Sequence, residues 1–351
     1  MADVGALIVG AGQAGLGMAA ALQALSVSAQ IVDEREAIGG AWDDYYKSLR
    51  LFSPVQYSGL PGLAFPGPPD HYPTADEVSR YLRDFARKFQ LSAYLGQRVE
   101  HVSIAPDGVD ARLSSGARIR ARAIIAATGT FRAPRLPTIP GADRFGGTTL
   151  HSSAYMQPNP FTGQRVIVVG AANSAVQIAY DLLPHAASVT LAARQPIRFV
   201  PQRIIGRDIH FWFGALGIDR MRWLSDQGTP VIDDGRYRDA IRTRAIAQRP
   251  MFEAFTDRGV QWPDGSRSDT CAVIFATGFR PDLGFLGGLP IFDRNGQIDQ
   301  RGGVAARAKN VFFIGQPGLR GFASGTLRGI ARDAPIVARA VARQILYRER
   351  R

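Results

Sequence analysis

The chain has 351 residues, 46% of them hydrophobic and 21% charged, an ordinary globular balance at a length that suits two domains. Its formal net charge is +12, but the excess is nearly all arginine scattered along the chain, with the tail Arg348-Glu349-Arg350-Arg351 as its densest run; without a helix-turn-helix, zinc-finger or RNP pattern this excludes a nucleic-acid reader. A single cysteine, Cys271, excludes a disulfide framework, a cysteine zinc site and an internal dithiol centre, and no metal site is expected.

In chain order, Ala6 to Leu25 is apolar enough to resemble a signal peptide. It lacks a basic start, follows Asp3, and is punctuated by glycines, so it reads as a strand over Val4–Val9 and a helix over Leu16–Leu25. Ala29–Val32 reads as the next strand, ending in Asp33-Glu34. Ser53–Pro73 reads as loop, Asp76–Phe89 as an amphipathic helix, and Val99–Ile125 as a small antiparallel layer. The first grammar then recurs: a strand over Arg165–Val169, a turn, a helix over Val176–Leu183, and a strand over Ser188–Ala192. The stretch Arg203–Pro250, with His210, Phe211, Trp212, Phe213 and Trp223, is compatible with helix. Val311–Ile314 reads as a strand and Thr326–Tyr347 as a helix interrupted or kinked at Pro335. No run of 18 apolar residues suggests a membrane span, so a cytoplasmic protein is expected.

The turn Gly10-Ala-Gly12-Gln13-Ala-Gly15 stands between strand and helix. Gly10 allows the tight turn, Gly12 lets backbone approach a pyrophosphate, and Gly15 lets helix and strand pack closely. The helix N-terminus then offers free N–H groups and partial positive charge to phosphate. Asp33, 18 residues after Gly15, stands where a carboxylate can bind ribose hydroxyls, with Glu34 as the alternative. In the second turn Ala172 replaces the middle glycine of Gly170-Ala-Ala172-Asn173-Ser174, and Asn173 and Ser174 remain as hydrogen-bond donors. No acid ends the following strand; Arg194 stands there, with Arg198 close behind. An arginine suits an adenosine 2′-phosphate, so this half is expected to bind NADPH in preference to NADH.

These residues, with several further stretches, resemble the flavin-containing monooxygenases, and in particular short bacterial members close to arsenic-resistance-type flavoproteins. Gly39-Gly40-Ala41-Trp42 resembles the family's second flavin motif, and Ser48–Pro54, including Leu51 and Phe52, resembles the segment passing the isoalloxazine. Phe145-Gly-Gly-Thr-Thr-Leu-His151-Ser-Ser-Ala-Tyr155 fits the family fingerprint between the two nucleotide halves. Ala127-Thr128-Gly129 and Ala276-Thr277-Gly278 resemble its two domain crossings, and Phe322–Leu327 its closing turn.

The resemblance implies an α/β fold of two Rossmann-like domains, the NADPH domain inserted into the FAD domain: FAD over 1–150 and 281–351, NADPH over 151–280. It implies FAD and NADPH as cofactors, with Val99 and Gly315 among the flavin contacts and Phe52, His151 and Asn173 as the functional side chains. His151 would couple domain motion to nicotinamide binding and not donate a proton. The implied reaction passes one oxygen atom from dioxygen, through a peroxide adduct at the flavin 4a carbon, to a small-molecule sulfide, amine or ketone. A homodimer is compatible with this, and neither nucleic acid nor membrane is an expected partner. Three departures stand out: Phe52 where larger members carry asparagine, no acid in Gly315-Gln316-Pro317-Gly318, and Ala172. They keep open an NADPH oxidase releasing hydrogen peroxide, and a cofactor-binding module with little turnover.

Overall fold

A computed structural model describes residues 2–221 and 230–349; Trp223 and the last two arginines of the tail lie outside the described residues. The N-terminal segment is the expected strand and helix. β1 (Ala2–Val9) leads into α1 (Gln13–Gln23), and β2 (Ala29–Val32) lies parallel to β1, Ala6 beside Ala29 and Val9 beside Val32. Successive side chains of β1 point to opposite faces. Ala6 and Ile8 join a cluster with Leu16 and Ile330, whereas Leu7 and Val9 join one with Val102 and Phe285. A strand covered on both faces reads as an unbroken apolar run, as this one does.

α2 (Ala75–Lys88) begins at a reciprocal cap: Glu77 N donates to the Thr74 hydroxyl at 3.3 Å and Thr74 N to the Glu77 carboxylate at 2.7 Å. Its apolar face, Val78, Tyr81, Leu82 and Phe85, is fully covered. β3 (Ala93–Tyr94) extends the sheet beyond β2. β4 (Val99–Ala105) and β5 (Gly108–Leu113) form an antiparallel hairpin, as expected. The third strand of that stretch, β6 (Arg118–Ala126), departs from the expectation. Its first half pairs antiparallel with β5, but its whole length runs parallel to β1 in the centre of the sheet. Burial alternates up to Ala121 and is continuous over Ala123–Ala126, so only its first half carries the half-exposed pattern.

The second sheet is entirely parallel. β7 (Thr148–His151), β8 (Arg165–Val169), β9 (Ser188–Ala193), β10 (Ile246–Pro250) and β11 (Ala272–Phe275) lie in the order β10-β9-β8-β11-β7. α3 (Asn173–Leu182) follows β8, starting three residues before the expected Val176 because Ala172 serves as an extended N-cap. The described part of Arg203–Pro250 is mixed: it holds α4 (Ile209–Ala215), α5 (Arg236–Arg242) and β10, with short strands at Arg203–Ile204, Arg207–Asp208 and Val231–Asp233. The chain returns to the first sheet through β12 (Val311–Phe313), parallel to β6, and ends in α6 (Leu327–Glu349). Of the interruption or kink expected at Pro335, the interruption is absent. The helix continues through it, and α6 buries Ile330, Val337 and Val341 against the first cluster.

The chain crosses between the sheets twice, and the two crossings pair. Ala133–Pro134 and Phe279–Arg280 form an antiparallel ribbon. Arg135 N donates to Gly278 O at 2.9 Å, Thr277 Oγ1 donates to Arg135 O, and Thr128 Oγ1 donates to Asp282 O at 3.3 Å.

Candidate functional site

The glycines of the first turn differ in what a side chain would meet. A Cβ on Gly10 (φ +115°) would stand 2.6 Å from the Ala127 carbonyl oxygen, and one on Gly15 only 1.8 Å from the Gly10 oxygen. Those positions are closed by backbone. A Cβ on Gly12 would meet only Gly40 Cα, at 3.5 Å, and Gly40 itself has φ +67°. The backbones of Gly12 and Gly40 thus form opposite walls of a cradle at the start of α1. Gly315 (φ +81°) closes against Ala14, whose Cβ a side chain there would meet at 2.5 Å.

The cradle opens into a cleft lined by Trp42, Leu51, Phe52, Val99, Thr128 and Gly129, all expected from the sequence. Gln13 also lines it. Its Nε2 donates to Gly325 O at 3.0 Å, while its Oε1 is buried with no partner among the described residues. Gln97, also in the lining, has an equally orphaned Oε1. Buried acceptors without donors call for a ligand carrying hydroxyl or amino groups. An elongated dinucleotide such as FAD, with its pyrophosphate in the glycine cradle, fits this donor and acceptor set.

Asp33 also lines the cleft, but both of its carboxylate oxygens are engaged by backbone. Its Oδ2 accepts from Ala11 N at 2.6 Å and its Oδ1 from Arg35 N at 2.9 Å, so the carboxylate braces the glycine turn. Glu34 lines the same cleft, paired with Arg132 and 3.9 Å from Arg98. Of the two acids, Glu34 has the side chain free of backbone duty.

The second turn repeats the first. A Cβ on Gly170 (φ +149°) would stand 2.6 Å from Ala276 O, as Gly10 does toward Ala127. Asn173 and Ser174, at the start of α3, line the cleft from the second sheet. The Asn173 amide donates to Pro230 O and accepts from Ile232 N, both at 3.2 Å. Arg194 stands exposed just beyond β9, and the equally exposed Arg198 follows it.

His151, Thr277 and Gly278 lie at the ribbon, outside the cleft lining. His151 is buried; its Nδ1 accepts from Ser153 N at 3.1 Å and its Nε2 reaches Gly278 O at 3.0 Å. Burial lowers its pKa below the usual 6.5 against the opposing pull of the Gly278 carbonyl. A neutral ring with both nitrogens engaged is a strut between β7 and the second crossing. A chain of edge-to-face rings links it to the cleft, through Phe279, Phe131, Tyr45 and Trp42.

Two features were beyond the reach of sequence reading. Tyr46 donates to Gln177 Oε1 at 2.7 Å, joining the segment after Trp42 to α3, and desolvation pushes its pKa well up. Behind Phe52, His210 stacks on the Phe52 ring at 6.0 Å while its Nδ1 meets Asp208 Oδ1 at 2.7 Å; Tyr72 donates to Asp208 Oδ2 at 2.5 Å. Nothing in local spacing signals partners this far apart in the chain.

Two strand-turn-helix units, a Gly12–Gly40 cradle on a mixed sheet and the Asn173–Ser174 helix start on a parallel one, line one cleft, the plan of a flavoprotein with an added pyridine-nucleotide domain. The chain belongs to the family described as pyridine nucleotide-disulphide oxidoreductase, matched over residues 7–315. It is 32% identical to an uncharacterized oxidoreductase, CzcO-like, of Geobacillus kaustophilus, covering 94% of this chain and 96% of that one. It is 28% identical to indole-3-pyruvate monooxygenase YUCCA1 of rice, over 99% of this chain and 93% of that one. Among solved structures it is similar to the flavin-containing monooxygenase of Stenotrophomonas maltophilia, at 32% identity with a TM-score of 0.85, covering 97% of this chain and 98% of that one. The resemblance to flavin-containing monooxygenases read from the motifs is thereby borne out, as is the fold of two Rossmann-like domains.

Proposed function

We infer that the protein is an FAD-dependent, NADPH-consuming monooxygenase that passes one oxygen atom of dioxygen to a soft nucleophile, a sulfide or amine, or to a ketone. The observation that carries this is the single cleft in which the Gly12–Gly40 cradle of the first unit faces the Asn173–Ser174 helix start of the second. When bound, FAD supplies the acceptor for the NADPH hydride and the reduced centre at which dioxygen is activated.

The residues of this chain bind, orient and shield. Gly12 and Gly40 leave backbone room for a pyrophosphate beside the α1 N-terminus, and the orphaned Oε1 atoms of Gln13 and Gln97 accept hydrogen bonds from the bound nucleotide. Glu34 takes the ribose hydroxyls while Asp33 holds the turn in shape. Trp42, Leu51 and Phe52 form an apolar wall that excludes water from the reacting end. Arg194, with Arg198, receives the 2′-phosphate of NADPH. The paired crossings at 133–134 and 279–280 support a nicotinamide domain that begins just after the first crossing, since β7 already belongs to the second sheet. Among the described residues no helix is long and apolar enough to cross a membrane. A cytoplasmic location and a homodimer complete the proposal, to be read by fractionation and light scattering.

One assay tests the activity: NADPH consumed, oxygen consumed, hydrogen peroxide released and thioanisole oxidised, all in one vessel. Sulfoxide formed in near one-to-one ratio with NADPH supports the reading. NADPH oxidation with equivalent peroxide and no sulfoxide overturns it in favour of an oxidase. Phe52 at the cleft wall, with no amide in its place, is the observation that favours that second reading.

A further inference from the structure

The segment between Trp42 and Leu51 belongs to the first unit by sequence and to the second by packing. Tyr46, 3% exposed, and the half-buried Leu49 sit in an apolar cluster with Val166 and Val168 of β8, Ala175 and Ile178 of α3, and Ile274 of β11. Among the described residues these two are the only members of that cluster from before residue 150. The Tyr46 ring meets Tyr155 edge-on at 5.8 Å, and its hydroxyl donates to Gln177 Oε1 at 2.7 Å. Burial keeps that hydroxyl protonated, so Tyr46 makes the bond as donor. Lys47 N donates to Met156 O at 3.0 Å, so backbone as well as side chain is bound to the second unit.

The same turn is anchored on the other side. Leu49 N donates to Tyr46 O at 3.0 Å and closes the turn. Ala75 N, at the start of α2, donates to Leu49 O at 3.3 Å, and Leu51 N donates to Pro73 O at 2.8 Å. A turn held at its base by one unit and buried at its tip in the other fixes their relative position. Drawing α3 away would break the bond to Gln177 and return two apolar side chains to water. The contact lies at the cleft. Tyr46 and Leu49 line it beside Leu51 and Phe52, and Gln177 lines it from α3. Asn173, Ser174 and Gln177, at spacings of three and four, share one face of that helix. The bond therefore sets the face that meets one cofactor against the wall that meets the other. Hydride transfer is sensitive to such placement, since a misplacement of ~1 Å costs about a hundredfold in rate.

We propose that Tyr46 is a positioning residue for hydride transfer: its turn plugs the second unit onto the first, and its bond to Gln177 sets the start of α3, and with it the nicotinamide of NADPH, against the Trp42–Phe52 wall. This role rests on the FAD and NADPH part of the function proposed above, not on the fate of oxygen. The test is stopped-flow reduction without oxygen or substrate, in which NADPH becomes NADP⁺ and the flavin takes up the hydride. Tyr46→Phe keeps the ring in the plug and removes the bond. Its limiting rate of flavin bleaching falls about tenfold or more, while the NADPH concentration giving half that rate stays at the parent value. Gln177→Leu falls alike, and Tyr46→Phe/Gln177→Leu is no slower than either single change, because one bond is lost in all three. Dithionite, which needs no docked nicotinamide, bleaches every variant at the parent rate. X-ray scattering by the apoproteins reads the plug without any cofactor: Tyr46→Ala/Leu49→Ala has a larger radius of gyration than the parent, and Tyr46→Phe does not. Parent limiting rates in Tyr46→Phe and Gln177→Leu overturn the proposal, even if melting temperature and flavin content fall, since that is a structural role alone. Slowing that is additive in the double change overturns it too. So does a raised half-rate concentration at an unchanged limiting rate, which would make the two residues contacts of NADPH. If Tyr46→Ala/Leu49→Ala does not fold, the rates of Tyr46→Phe and Gln177→Leu decide. A parent protein bleached by dithionite but not by NADPH would overturn the pyridine-nucleotide reading together with this one, whereas peroxide in place of sulfoxide would count against the oxygenase alone.

Discussion

Gly12 and Gly15 are three residues apart and respond to a side chain in opposite ways. At Gly15 a methyl group would sit 1.8 Å from the Gly10 carbonyl, so Gly15→Ala forces strand and helix apart. Overpacking of this kind costs about 1–3 kcal/mol, and the melting temperature and flavin content should fall together. At Gly12 the neighbour is Gly40 Cα at ordinary contact distance, and the larger groups of valine would extend into the cleft. Gly12→Val should keep the melting temperature of the apoprotein while losing more than nine-tenths of the flavin absorbance per chain. A yellow Gly12→Val protein would remove the pyrophosphate from the cradle. The histidines belong to the same scale. Burial holds the pKa values of His151 and His210 below 6.5, so the unfolded chain takes up protons near that pH that the folded chain refuses. Stability from these groups is full above about pH 6.5 and falls as the pH drops below it. Urea midpoints at pH 7.5 and 5.5 should show this loss, and His151→Gln should reduce the difference between them; an unchanged difference would mean His151 is not held neutral.

Among the elements, α2 offers the cleanest measurement. Its cap is reciprocal and lies in the part-buried start of the helix, so Thr74→Ala should cost about 1 kcal/mol in a denaturant titration with an unchanged m-value. α2 was legible because its apolar residues recur on one face and its cap is written three residues apart. β6 was half legible, because its exposed half alternates and its central half does not. The sequence could say that Pro335 lacks a backbone donor, but not that α6 continues through it under cover of the first cluster.

For the whole molecule, the duplication of glycine turn and crossing on two sheets sets up cofactor choice. Only the second copy ends its second strand in an arginine. Arg194 is exposed beyond β9, at the place proposed above for the 2′-phosphate of NADPH. Charge-assisted contacts of this kind are worth roughly 1.5–3 kcal/mol, so Arg194→Ala/Arg198→Ala should raise the Michaelis constant for NADPH about ten- to a hundredfold and leave that for NADH nearly unchanged. An unaltered NADPH-to-NADH ratio in steady-state kinetics would place the phosphate elsewhere.

By itself, the sequence determined the two glycine turns, the strands and helices flanking them, and the duplicated plan, because each is written within one or two periods of the chain. Tertiary structure alone decided that Asp33 turns back onto Ala11 while Glu34, beside it in the cleft lining, pairs with Arg132. It also decided that Gly40 faces Gly12, that Tyr46 reaches Gln177, that His210 stacks behind Phe52, and that Arg328 meets Asp219. The physical reason is one of range. Periodicity and turn chemistry act between near neighbours, whereas these contacts join residues 22 to 158 positions apart, and only the order of the strands and the pairing of the two crossings brings them together.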